Sequence, residues 1–260
     1  MACLKDTGLS TCGYKGCGPC ELPNYEGKER AIVAEYLHWR FGKGTLAHVS
    51  LDLGAHVGLW SVFLANEYTH YGVGVIYAFE PNTVSYKALC ENAELLRSRG
   101  INGVVPVCAA AWNVNAKLAL HTDSGPARHY VTNQIDLQLK NGEKLSAAPS
   151  CNGIAIDNIP TTDNGPKTLD FVKVDVEGAE LNAMNGMANT IKANDRLLVL
   201  IEYYREHFGR YGYGIKEMTT FMTTNGLQFA RPVDEINVNK VTAQGGIAKI
   251  FFTKGDSPWR

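Results

Sequence analysis

Two short segments constrain the fold more than anything else in the chain. Leu51-Asp-Leu-Gly-Ala-His-Val-Gly-Leu-Trp60 reads as a strand carrying an acid, Asp52, followed by a glycine-bearing turn into a helix. Ala78-Phe-Glu-Pro-Asn82 repeats the form, an apolar strand ending in Glu80 just before a helix begins. The two acids lie 28 positions apart (52 to 80), about the length of one strand–helix–strand unit. A chain written this way sets two acids at neighbouring strand ends of a parallel sheet. A nucleotide-like ligand uses that arrangement: glycines let the backbone approach it, and the acid of the next strand accepts hydrogen bonds from ribose hydroxyls.

The rest of the chain continues the alternation. Apolar periodicity predicts helices over Glu26 to Phe41, Leu59 to Tyr68, Thr83 to Arg99 (capped by Thr83), Ala179 to Ile191 and Ile215 to Thr224. Strands are expected over His48 to Leu53, Val73 to Phe79, Gly103 to Ala109, Leu169 to Val174 and Arg196 to Ile201. Leu227 to Arg231 and Ile247 to Thr253 read as an antiparallel pair across a long loop, and Lys117 to His121 as a short antiparallel excursion. Residues 122–166 are rich in Ser, Asn, Gly and Pro and predict an insertion, with weak strands near 129–132 and 153–156. The expected organisation is one α/β domain over residues 25–260, with an insertion-rich, substrate-side stretch at 111–168, preceded by a Cys-rich arm over 1–24.

Composition excludes some classes. A formal net charge of -1 gives no global field to recruit nucleic acid or anionic lipid. No run approaches the ~18 apolar residues of a membrane span, and Met1 to Ser10 has no apolar leader, so no membrane partner and a cytoplasmic location are expected. Cys90, Cys108 and Cys151 are scattered and read as buried thiols of a reduced compartment.

Gly54-Ala-His-Val-Gly58 departs from the dinucleotide fingerprint G-x-G-x-x-G, and alone it fits any tight strand–helix turn. A third acidic strand end, Asp175-Val-Glu-Gly178, adds weight to a cofactor reading. Together these segments resemble the FkbM-type methyltransferases, a branch of the class I enzymes that use S-adenosylmethionine. The matching text is Leu51 to Ser61, Ala78 to Asn82, Asp170-Phe-Val-Lys-Val-Asp-Val-Glu-Gly-Ala-Glu180 and Leu200-Ile-Glu-Tyr203, within a similarity running from about Tyr25 to Lys254. The resemblance implies a Rossmann-like seven-stranded sheet of order 3-2-1-4-5-7-6 with helices on both faces. It places S-adenosylmethionine over the ends of strands 1 and 2. Glu80 is then expected on the ribose hydroxyls, and Asp52, Gly54, Ala55 and Gly58 around the methionine portion. Asn82 is expected in the adenosine pocket, and Ala110 (or Ala109 or Trp112) at the adenine edge. His56 is either a turn residue or a polar contact to the cofactor carboxylate.

Methyl transfer from a sulfonium to a hydroxyl needs alignment and exclusion of water more than covalent help, with a base in reach of the hydroxyl proton. Asp175 after strand 4, Glu177 at the next helix start, Glu202 ending strand 5 and His207 beyond it are the candidate catalytic residues. Acids in a first helical turn, Glu177 and Glu180 among them, are also favoured by the helix dipole alone, and Asp175 suits a helix cap. Lys173 reads as a partner to one of these carboxylates. Tyr203-Tyr-Arg-Glu-His-Phe208, with Arg210, Tyr211 and Tyr213, resembles the acceptor-side loop of the family. These residues point to O-methylation of a small hydroxylated molecule such as a saccharide or secondary metabolite.

Asp175 and Glu202 are oxygen ligands that could hold a divalent cation such as Mg²⁺, as in some class I O-methyltransferases, but Glu202-Tyr-Tyr204 departs from the Asp-Asn that ends strand 5 in those enzymes, and no metal is assigned. An RNA ribose methylase would need Lys where Glu202 stands, so nucleic acid is not expected as a substrate. Cys3, Cys12, Cys17 and Cys20 carry a C-x2-C half-site suited to zinc or an iron–sulfur cluster, a redox dithiol, or no metal at all. The alternative to an enzyme is a Rossmann-like binding protein whose arm holds zinc and contacts a partner or RNA. An NAD-dependent oxidoreductase is disfavoured by the missing middle glycine. The acceptor and the oligomeric state are not legible.

Overall fold

The structure, a computed structural model, describes residues 25–42, 48–72, 74–122, 129–133, 149–159, 169–230 and 235–259. The Cys-rich arm and most of the 122–166 insertion therefore lie outside the described residues. Along the chain come α1 (Gly27–Phe41), β1 (His48–Leu53), α2 (Leu59–Tyr68), β2 (Gly74–Phe79), α3 (Thr83–Ser98) and β3 (Val104–Val107). Four strands follow: β4 (Ala110–Ala111), β5 (Ala116–His121), β6 (Tyr130–Asn133) and β7 (Ser150–Ile154). Regular alternation then resumes with β8 (Phe171–Val174), α4 (Glu180–Asn185), α5 (Ala188–Ala193), β9 (Leu197–Tyr203), α6 (Arg205–Gly209) and α7 (Ile215–Thr224). The chain closes with β10 (Gln228–Phe229), α8 (Glu235–Ala243) and β11 (Ala248–Lys254).

Seven strands form one mixed sheet, β3-β2-β1-β8-β9-β11-β10, which is 3-2-1-4-5-7-6 when its own strands are counted along the chain. The β1, β2, β3, β8 and β9 pairings are parallel, and β11 is antiparallel to both neighbours. The molecule also carries a second sheet of order β4-β7-β5-β6, which the sequence reading had only as loose strands in an insertion. Two apolar layers sandwich the main sheet. Leu51, Leu53, Val172, Val174, Val199 and Ile201 face α4 to α8. Ile76, Ala78, Phe171, Leu198, Leu200 and Phe251 face α1 to α3. The period of 2 along each strand thus divides its residues between two cores.

Of the three thiols expected to be buried only Cys151 is, Cys90 being half-buried and Cys108 exposed, and two expected elements come out differently. The helix expected over Ala179 to Ile191 breaks into α4 and α5 at Gly186. A Cβ there would lie 1.9 Å from the Trp112 carbonyl oxygen, so the chain is pressed against the second sheet's first connection. Asp157 restarts the helix by accepting from the Asn189 and Thr190 amides at 3.0 and 2.8 Å, satisfying donors that a helix start leaves orphaned. Asp157→Ala is expected to cost about 1 kcal/mol, seen as a Tm lower by roughly 2–4 °C. The cap of α3 is Asn82 rather than Thr83: its side-chain oxygen accepts from the Val84 and Ser85 amides.

Candidate active site

The C-terminal ends of β1, β2, β8 and β9 open into a cavity of about 230 Å³. Its floor is the β1–α2 turn. The amides of Gly54 and Ala55 both donate to the Phe79 carbonyl, laying the turn across the end of β2. Gly54 has φ 79°, and a Cβ on it would lie 1.8 Å from the Asp175 carbonyl oxygen. Only glycine lets the β1 and β8 ends come this close.

Glu80 is buried at the cavity's edge, its two oxygens accepting from the His56 and Asn82 amides at 2.8 Å each. Burial pushes its carboxyl up to about 7 even though both amides favour the charged form. Each oxygen keeps a lone pair for a further donor, as a vicinal diol requires. Phe79, Pro81, Ala110 and Ala111 supply apolar surface beside it.

Beyond Glu80 the cavity becomes ionic, and sheet register explains why. Asp52 lies beside Lys173 in the β1–β8 pairing, and Lys249 lies opposite Glu202 in the β9–β11 pairing. These side chains and Asp175 share the α1 side of the sheet. Lys173 Nζ is 3.0 Å from Asp175 Oδ2, 3.7 Å from Asp52 Oδ1, and donates to the Gly54 carbonyl at 3.3 Å. Lys249 Nζ bonds Glu202 Oε1 and, at 2.7 Å, Glu26 Oε1. The carboxyls of Asp175 and Glu202 hydrogen-bond each other, closing a chain of six ionisable groups: Glu26, Lys249, Glu202, Asp175, Lys173 and Asp52.

The acids in this chain diverge. Burial opposes charge on Asp175, but Lys173 and Lys249 outweigh it and hold the carboxyl down at about 2. Burial, and then the neighbouring Asp175 charge, pushes Glu202 up to about 8. At neutral pH the pair therefore keeps one proton between its two carboxyls. Lys173 stays charged: burial disfavours its ammonium, yet Asp175 and Asp52 raise it above its ordinary value.

The far end of the cavity is lined by Glu177, His129 and Val131. Glu177 sits at φ 57°, braced from behind by His207, whose Nδ1 is 2.9 Å from Glu177 Oε2. Arg210 donates to the Glu177 carbonyl and lies over the Tyr130 ring, 4.5 Å from its centroid. Tyr211 donates to the Val131 carbonyl, so the segment after β9 and the second sheet hold one another. The three non-glycine residues with positive φ among the described residues are Glu26, His56 and Glu177, at 49°, 53° and 57°. His56 and Glu177 line the cavity, and Glu26 follows Tyr25, which also lines it. Strained backbone of this kind gathers where surrounding structure enforces a functional geometry.

Of the residues singled out from sequence, Gly54, Ala55, His56, Glu80, Ala110, Asp175, Glu177 and Glu202 line this one cavity. Four lie behind it. Asp52 is fully buried, accepting from Ser61 Oγ at 2.7 Å. Gly58 starts α2 against Leu89, Asn82 caps α3, and His207 is buried behind Glu177. Glu180, another acid weighed from sequence, ties the β8–α4 turn by accepting from the Val176 and Gly178 amides. Sequence reasoning missed Tyr25, Trp60, His129 and Lys249. For Lys249 the one available signal was a lysine inside the apolar run Ile247 to Phe252, where an unpaired charge would be costly.

Comparison with known proteins follows this geometry. The sequence model of the family described as "Methyltransferase FkbM domain" matches residues 52–229. No curated protein matches the chain in sequence. Among solved structures, the chain is similar to a methyltransferase FkbM from Methylobacillus flagellatus KT, at 15% identity and a TM-score of 0.47, over 85% of this chain and 47% of that one. The chain thus spans about half the length of that protein. It is also similar to a putative O-methyltransferase from Klebsiella pneumoniae, at 10% identity and a TM-score of 0.48, over 98% of this chain and 88% of that one. A SAM-dependent methyltransferase from Aquifex aeolicus matches at 11% identity and a TM-score of 0.42, over 88% of this chain and 98% of that one.

Proposed function

The chain belongs to the FkbM methyltransferase family, and we propose that it uses S-adenosylmethionine to methylate a hydroxyl oxygen of a small acceptor such as a saccharide or secondary metabolite. The residues present fit the donor. Glu80 offers two acceptor oxygens to a ribose diol, Ala110 and its apolar neighbours suit a flat base, and the acids past Gly54 complement a positive sulfur. The methyl on that sulfonium is already activated, so the protein has to align the acceptor and keep water out.

The observation that carries the reading is the far wall of the cavity. Asp175, Glu177 and His129 present hydrogen-bond acceptors to one space, which suits a hydroxylated molecule. In this reading Asp175 faces the reacting centre, Glu177 orients the acceptor, and His207 positions Glu177. His129 takes the hydroxyl proton: it lines the cavity beside Glu177, and burial lowers its pKa so that the imidazole is neutral at physiological pH.

The test is incubation of the full chain with methyl-labelled S-adenosylmethionine and a panel of methyl glycosides, phenols, amines and carboxylic acids. Label in an alkali-stable ether supports the proposal; label confined to amines or to alkali-labile esters overturns it. Glu80→Ala is expected to weaken S-adenosylhomocysteine binding tenfold or more, from about 1.5–3 kcal/mol for hydrogen bonds to a charged acceptor. Calorimetry reads this directly, and equal affinity in both proteins would remove Glu80 from the ribose.

A further inference from the structure

We propose that the Asp175–Glu202 pair distinguishes the charged donor from its uncharged product: the pair holds one proton in the absence of a cation and yields it to solvent when a sulfonium lies beside it. The inference rests on the reading above, in which the donor lies along Gly54 to Glu80 with its sulfur toward Asp175.

The geometry supports it in two steps. First, two carboxyls that hydrogen-bond each other do so only with a proton between them, because two like charges at that distance repel. Second, the surroundings leave the pair short of positive charge. Lys173 from β8 is shared among Asp175, Asp52 and the Gly54 carbonyl. Lys249 from β11 is shared between Glu202 and Glu26 of the turn before α1. The other titratable groups facing the pair are Tyr25 of that turn and Glu180 of α4, neither of which brings a positive charge. Four acids thus face two lysines and, on the Glu26 and Asp52 side, Arg30 of α1, and the bound proton supplies the missing charge.

A sulfonium entering the cavity supplies the same charge, and the proton becomes dispensable. The thioether product has identical adenosine and amino-acid portions but no charge on sulfur, so it leaves the proton in place. Because burial and Asp175 push Glu202 up to about 8, the proton is present across the neutral range and available for release. Relative to the product, donor affinity then rises with pH up to that value and levels off above it, while Glu80, pushed up to about 7 beside the shared ribose, affects both ligands alike.

Calorimetry of the full chain at pH 7, in phosphate and in Tris, counts the protons from the dependence of heat on buffer ionisation. Close to one more proton is expected to leave per S-adenosylmethionine bound than per S-adenosylhomocysteine, the contribution of Glu80 at the shared ribose being common to both. Between pH 6.5 and 7.5 the ratio of the donor's Kd to the product's is expected to fall by nearly tenfold. Glu202→Gln, which keeps the size and removes the titrating group, is expected to abolish both effects and controls for protons from the ligand's own amine. Equal release with both ligands, or undiminished release in Glu202→Gln, overturns this inference while leaving the cofactor cleft intact. Failure of S-adenosylhomocysteine to bind at all overturns the cleft reading, and this inference with it.

Discussion

His129→Gln is expected to lower turnover by about 10²–10⁴-fold, the usual loss on removing a general base, with S-adenosylhomocysteine affinity unchanged. The size of the effect follows from the state of the other candidates. Asp175 is held at about 2 by Lys173 and Lys249, which makes it a weak base, and its carboxylate is engaged with Lys173. Glu202 already shares a proton with Asp175 at neutral pH. Glu177 is paired with the buried His207. Among these groups the His129 imidazole, neutral and facing the cavity, is the one that offers a basic nitrogen lone pair. The sign of the pH dependence is fixed by its lowered pKa. The base is competent above that value, so the acid limb of the kcat profile should lie below the ordinary histidine range, near 6.5. Gln fills the same space and hydrogen-bonds but does not take a proton. Wild-type turnover and an unaltered acid limb in the variant would remove His129 from the mechanism.

Lys173→Met should reduce stability at neutral pH by about 3–5 kcal/mol, the cost of stranding buried carboxylates without their cation. Tm should drop by roughly 10 °C or more. Lys173 is 5% exposed, and Asp52 beneath it is fully buried. Met fills the volume, so loss of packing contributes little. Asp175, depressed in the folded protein, contributes stability that is present above its unfolded value near 4 and is lost as pH falls through about 2. That contribution depends on Lys173, so the variant's deficit should be greatest above pH ~4 and shrink toward acid, where protonation neutralises the stranded acids. Thermal melts from pH 3 to 8 measure it. A uniform deficit across that range would mean that packing, and not charge, is what Lys173 supplies.

Much of the fold was legible because it rests on local patterns. Near-continuous apolar runs mark strands covered on both faces, and glycines at 54 and 58 with acids at 52 and 80 mark a strand–turn–helix repeat. The helix at 179–191 misled because its apolar periodicity continues across Gly186, while the break is imposed by Trp112, which is distant in sequence. The family resemblance places Asn82 in the adenosine pocket; the fold adds that its side-chain oxygen caps α3, a role that only the helix start reveals. His129 was passed over because the segment around it carries little pattern, and its position depends on Tyr211 and Arg210 gripping the residues beside it.

The α/β class, the family and the acids that end the strands are written in contiguous residues whose spacing the backbone obeys, so they are legible without the fold. Tertiary structure alone decided which charges meet. The antiparallel register that sets Lys249 opposite Glu202, and the close approach at Gly54 that brings Asp175 beside the cofactor turn, join residues from distant parts of the chain. Ionisation depends on distance and burial, and neither is expressed in local spacing.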